Sequence, residues 1–208
     1  MKKFAVILCL FFVGVFFAAC NNVELDTSLF KDGDVIFQNK KSKSGDLLAF
    51  LSNTKYNNAG ILFSRGGKWY VLEAVQPVQL TPLKSWIKEG EDNRYVVKRL
   101  KEESTLITPQ TLESMKKFNS EFLGKPYDQY YEWSDRAFYS SELIWKIYNR
   151  ALGIEISQLR VFADFNLADE NVKTRLQEVF GNNIPIYEQI TTPADIFNSN
   201  MLITIVEK

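Results

Sequence analysis

Along the chain the spacing of apolar residues changes several times, and each change outlines an element. Residues 4–17 (FAVILCLFFVGVFF) form an unbroken apolar run, whereas residues 21–31 (NNVELDTSLFK) are polar enough to read as a tether. Asp32-Gly33-Asp34 predicts a turn into a short buried strand, Val35-Ile36-Phe37-Gln38. Residues 44–52 (SGDLLAFLS) predict a short helix capped near Ser44. Two strands, 59–64 (AGILFS) and 68–75 (KWYVLEAV), flank Arg65-Gly66-Gly67, a hairpin signal. A period of two places Trp69, Val71 and Glu73 on one face of the second strand and Tyr70, Leu72 and Ala74 on the other. Thr81-Pro82 predicts the start of a helix reaching Ile87, and residues 94–100 (RYVVKRL) a further strand.

The second half is mainly helical. Thr108-Pro109 pairs an N-cap residue with proline at the first helical position, and Leu112, Met115, Phe118 and Phe122 then share a face. Gly124 and Pro126 stop that helix, and an aromatic loop (PYDQYYEWSD) follows. Residues 139–152 predict a second helix, with Leu143, Ile144, Ile147, Tyr148, Ala151 and Leu152 inward and Gly153 at its end. Residues 169–180 predict a third, Thr192-Pro193 a short helical turn, and residues 201–206 (MLITIV) a closing strand. Partly segregated strands and helices, with no internal repeat, imply one α+β domain over residues 32–208.

The two ends of the apolar run add a destination. Lys2 and Lys3 precede it and Ala18-Ala19-Cys20 follow it, the arrangement of an export signal cleaved before a cysteine that then carries lipid. Here the pattern resembles a bacterial lipoprotein signal, with Phe17 where leucine is usual. The run is shorter than the ~20 residues that span a bilayer as a helix. The expectation is an exported envelope protein (signal 1–20, tether 21–31) anchored in the membrane through lipidated Cys20.

Composition then narrows the chemistry. The cysteines are Cys9 and Cys20, and the chain has no histidine, so the mature domain is expected to lack thiol, imidazole and any cysteine or histidine metal site. No metal and no cofactor is expected. Basic and acidic residues balance at 25 each, and loss of Lys2 and Lys3 leaves a net charge of −2. That excludes the basic stripe a nucleic-acid partner requires.

Several strings carry a resemblance: GDVIF, NNAGILF, VLEAVQPVQLTPLKSWI, LGKPYDQYYEW and FYSSELIWKIY. In this order, from about residue 33 to residue 199, they resemble the NlpC-type papain-like cysteine hydrolases. More narrowly, they resemble the circularly permuted YiiX/YaeF-like branch. The resemblance implies a papain-like fold, with an antiparallel sheet or partial barrel packed against helices. It also implies a cleft for a peptidoglycan peptide or an acyl amide or ester. The family's motifs place histidine where Asn58 stands, cysteine where Ser140 stands, and an acid at Glu73. The implied catalytic positions are therefore Ser140, Asn58 and Glu73. Tyr127, Tyr130, Tyr131, Trp133 and Tyr139 are expected as the binding wall.

These substitutions remove reactivity. A helix N-terminus favours a thiolate, and a nearby imidazole completes its activation. Serine is far less acidic and requires a working base, which an asparagine amide does not supply. The resemblance thus implies a cleft retained for binding. The alternative is an active hydrolase with Ser140 as nucleophile and Glu73 or Asp135 as base. By residue type alone, Ser140 or Ser141 also reads as a helix cap, Glu73 as a solvent-facing carboxylate and Asn58 as a turn residue.

Overall fold

The computed structural model describes residues 25–41 and 46–208. The export signal, Cys20 and the cap expected near Ser44 lie outside the described residues. In chain order the first elements are β1 (Val35–Gln38), α1 (Leu47–Leu51), β2 (Asn58–Arg65), β3 (Lys68–Glu73), β4 (Gln79–Pro82) and α2 (Leu83–Glu89). Next come β5 (Val96–Leu100), α3 (Glu103–Leu106), α4 (Pro109–Phe122) and α5 (Ser140–Leu152). The chain closes with β6 (Arg160–Val161), α6 (Glu170–Phe180), β7 (Gln189–Ile190), α7 (Pro193–Phe197) and β8 (Leu202–Glu207).

Six strands form one antiparallel sheet in the order β4-β3-β2-β1-β5-β8. Its middle strands are apolar on both faces because both faces are covered, as their unbroken hydrophobic strings require. One face carries Val35, Phe37, Ile61 and Leu72 against α4 and α5, through Met115, Phe122, Leu143, Ile144 and Ile147. The other carries Ile36, Leu62, Val71 and Val97 beneath Leu83, Trp86 and Ile87 of α2. Phe30, inside the segment read as a tether, is buried on that second face, with its ring 5.9 Å from Trp69. A third cluster joins α1 and α6 to the aromatic loop through Leu47, Leu48, Tyr131, Tyr139 and Leu176.

Local chemistry explains most boundaries. Thr108 accepts from the amide of Thr111, whose hydroxyl accepts from the Thr108 amide in turn, and Pro109 follows at the first helical position. The start expected at Thr81-Pro82 is displaced. Thr81 and Pro82 belong to β4, opposite Val71 and Tyr70, and the helix begins one residue later at Leu83. An edge strand tolerates proline because the missing N–H removes nothing from the sheet. Asp46 caps α1 by accepting from the amide of Ala49. Tyr139 occupies the N-cap position of α5, so Ser140 and Ser141 are its first helical residues and not its cap. Gly60 lies on β2 opposite Glu73 of β3. A Cβ there would lie 2.4 Å from Val71 Cγ1 and 2.5 Å from the Leu72 carbonyl oxygen, so no side chain fits.

Candidate active site

The carboxylate side of the site is built from strands. Register places Asn58 opposite Gln38, and Glu73 opposite Gly60. Asn58 and Gly60 point to the same side of β2, so Asn58 and Glu73 are diagonal neighbours on one sheet face. Neither is a surface residue, with Asn58 5% and Glu73 1% exposed. Glu73 Oε1 accepts from the Thr81 hydroxyl. Its Oε2 accepts from Trp86 Nε1 at 3.0 Å and from Asn58 Nδ2 at 3.4 Å. Thr81 and Trp86 fall inside a string singled out in the sequence, but nothing in their spacing marks them as partners of Glu73. The displaced start of α2 is what brings the Thr81 hydroxyl into place.

The helical side is Ser140, the first residue of α5 and 8% exposed. The first turn of a helix leaves its backbone N–H groups without intrahelical partners. Long-range bonds hold that turn. Ser141 Oγ donates to the Thr191 carbonyl at 2.7 Å, and the Thr191 amide donates to the Tyr139 hydroxyl at 3.3 Å. In the same turn Glu142 is fully buried, and Lys146 Nζ approaches its Oε1 at 2.7 Å. Burial still pushes the Glu142 carboxyl up to about 8, against the pull of Lys146.

Asn58 and Ser140 border one cleft of about 1040 Å³. Tyr127, Tyr130 and Tyr131 line it as well, as do Lys40, Gln76 and Gln129. The other two aromatic candidates, half-buried Trp133 and buried Tyr139, are not among its lining residues. Trp133 stacks edge-on against Trp145 at 5.2 Å with Lys146 over its ring. Tyr139 is 1% exposed in the third cluster. Asp135, the alternative base, is also elsewhere. It accepts from Arg150 at 2.7 Å and from Lys146 at 3.1 Å, and those cations hold its carboxyl below the ordinary value despite partial burial.

Asp46 is a lining residue that the sequence did not single out. Its Oδ1 caps α1, its Oδ2 accepts from the Tyr131 hydroxyl at 3.5 Å, and burial raises its pKa. Tyr131 adopts a left-handed backbone (φ 55°), a costly conformation for so large a residue. Tyr127 is fixed from another direction, its amide donating to Gln76 Oε1 at 2.7 Å. Burial and the neighbouring Asp46 carboxylate push the Tyr127 and Tyr131 hydroxyls well above their ordinary value, so both remain protonated donors.

Comparison with known proteins gives the same fold. A family profile described as permuted papain-like amidase enzyme, YaeF/YiiX, C92 family, matches residues 29–206. The protein YiiX of Escherichia coli strain K12 is 38% identical over 176 residues, covering 85% of this chain and 86% of its own length. A crystal structure of YiiX from Escherichia coli O157:H7, described as a metalloprotein, matches with a TM-score of 0.79 at 35% identity. The match covers 86% of this chain and 97% of that one. The chain belongs to the permuted papain-like amidase family of YaeF and YiiX.

Proposed function

We propose that this protein is an envelope lipoprotein that uses its amidase cleft to bind an amide- or ester-bearing ligand without cleaving it. The ligand class is a peptidoglycan peptide or an acylated amide or ester, and Cys20 supplies the membrane anchor. Among the described residues no helix is long and apolar enough to cross a membrane.

One observation carries the reading. The buried Glu73 carboxylate, in position to orient a base, orients the amide of Asn58 instead. An amide does not accept and return a proton near neutral pH, so Ser140 is left without a proton acceptor in the place the cleft provides for one. Glu73 itself is committed to Thr81, Trp86 and Asn58, and Asp135 to Lys146 and Arg150. The remaining elements favour binding: a roomy cleft lined by Tyr127, Tyr130 and Tyr131, and a helix N-terminus.

The solved YiiX relative is described as a metalloprotein, but a metal does not fit the donors present in this chain. The chain has no histidine, and the described residues contain no group of three or more histidine, cysteine, aspartate or glutamate side chains placed to hold an ion. No step through a metal is drawn for this chain.

The test pairs the mature protein with an Asn58→His/Ser140→Cys double variant on muropeptides, peptide amides and acyl esters, reading binding and cleavage separately. The expected result is binding by both proteins and cleavage by the double variant alone. Cleavage by the unaltered protein, with a fluorophosphonate probe labelling Ser140, would make it a serine hydrolase. Absence of binding across the panel would overturn the binding reading.

A further inference from the structure

We infer that the cleft selects an amide over the ester of the same shape, because Asn58 presents a fixed hydrogen-bond acceptor to the ligand. The inference rests on the binding reading above and names the group that this site recognises.

The direction of one hydrogen bond decides what Asn58 offers. Glu73 is deeply buried, and two other donors, the Thr81 hydroxyl and Trp86 Nε1, already converge on its carboxylate. A carboxylate receiving such donors is itself an acceptor, so the Asn58 amide faces it with Nδ2 and not with Oδ1. The alternative orientation would set Oδ1 against Oε2, oxygen against oxygen. Glu73 therefore fixes which half of the Asn58 amide remains for the cleft. That half is Oδ1, an acceptor with no ability to donate. A neutral imidazole in the same place would offer a donor or an acceptor according to its tautomer, so the asparagine narrows what the position accepts.

The opposite wall has complementary polarity. Ser140 makes no side-chain hydrogen bond to any described residue, and Asn58 makes only the one from Nδ2. Both side chains belong to residues more than nine-tenths buried that border the same cleft. Around Ser140 stand the N–H groups of the first turn of α5, all donors. An amide fits this pair of walls, its carbonyl oxygen toward α5 and its N–H toward Asn58 Oδ1. An ester offers the same carbonyl but no N–H. Binding an ester would desolvate Asn58 Oδ1 and set it against an ester oxygen, and leaving a buried polar group unpaired is the more costly side of hydrogen-bond exchange.

The experiment compares three probes on the mature protein: octanoylglycine, its isostere the octanoyl ester of glycolic acid, and octanoylsarcosine, whose amide carries an N-methyl group in place of the N–H. Calorimetry or ligand-observed NMR should rank octanoylglycine roughly 10- to 100-fold tighter than the other two. Asn58→Leu should weaken octanoylglycine, which loses its acceptor, and tighten the ester, whose oxygen no longer faces Oδ1, collapsing the preference. The probe comparison on unaltered protein needs no variant, so a misfolded Asn58→Leu does not rescue the inference. Equal affinity for the three probes would overturn it, as would a preference that survives in a folded Asn58→Leu. Binding of none of them, when the muropeptide and acyl panel does yield a ligand, overturns the amide assignment alone. Silence in both experiments overturns the binding reading as well.

Discussion

Glu73 and Asn58 meet across two strands of the sheet, carboxylate Oε2 to amide Nδ2 at 3.4 Å, with both side chains buried. In a working triad the same contact would hold a base. Here it holds an amide whose free side only accepts, the observation on which the proposed binding role rests.

That acid also carries structural weight. Glu73→Ala would leave Trp86 Nε1 and the Thr81 hydroxyl buried without their acceptor. The expected cost is about 3 kcal/mol of unfolding free energy, read from urea denaturation. A loss below about 1 kcal/mol would mean that the network is incidental to the fold.

Gln38 predicts a change of opposite sign. It is fully buried opposite Asn58, and neither its Oε1 nor its Nε2 finds a partner among the described residues. It fills space beside Gly90, where a Cβ would lie 2.5 Å from Gln38 Oε1. Gln38→Met keeps the length and removes the unpaired amide. Stability should rise by about 1 kcal/mol, seen as a higher urea midpoint at unchanged slope.

The strand that opens the domain depends on an ion pair. Asp34, 1% exposed, receives two bonds of 2.7 Å from Arg99 and one of 2.9 Å from the Lys31 amide. Asp34→Ala should cost about 3 kcal/mol, because it strands a partly buried guanidinium. Added salt should change that loss little, since the pair is shielded from solvent ions. Denaturation at low and high ionic strength checks both points.

The Glu142 carboxyl makes stability depend on pH. Its folded value of about 8 lies above the ordinary 4.5, chiefly through burial. The folded protein therefore keeps a proton that the unfolded chain has already lost. The resulting stabilisation is complete below about 4.5 and disappears as pH rises through about 8. Unfolding free energy measured at several pH values across that window should fall toward alkaline pH. Glu142→Gln should flatten the slope, and a slope unchanged in the variant would assign it to other groups.

What the sequence disclosed follows the range over which each feature is determined. The Thr108-Pro109 helix start and the Arg65-Gly66-Gly67 hairpin depend on adjacent residues, and both form where their patterns stand. Thr81-Pro82 carries a helix-start pattern, but sheet pairing with Val71 and Tyr70 overrides it. The segment around Phe30 reads as polar, yet one aromatic ring finds Trp69 and Tyr95, and that contact is invisible in the local string. Within the site, Asn58, Glu73 and Ser140 are accessible through the family motifs. Trp86, Thr81 and Asp46 are not, because their roles arise from strand register and loop packing. Trp133 and Tyr139 show the converse. An aromatic side chain in a loop looks the same whether it faces a ligand or a tryptophan.

The anchoring of the first turn of α5 on Thr191 has a consequence for the order in which the protein matures. On the strand side Asn58 lines the cleft and is held by Glu73, which Thr81 and Trp86 hold in turn, so these partners emerge close together from the ribosome. The opposite wall is different. Ser141 and Tyr139 have no carbonyl and no amide to hold until Thr191 is made, some fifty positions later. A chain ending between them has the partners that hold Asn58 but not the tether of the helix start. The cleft is thus among the last parts of this molecule to become whole.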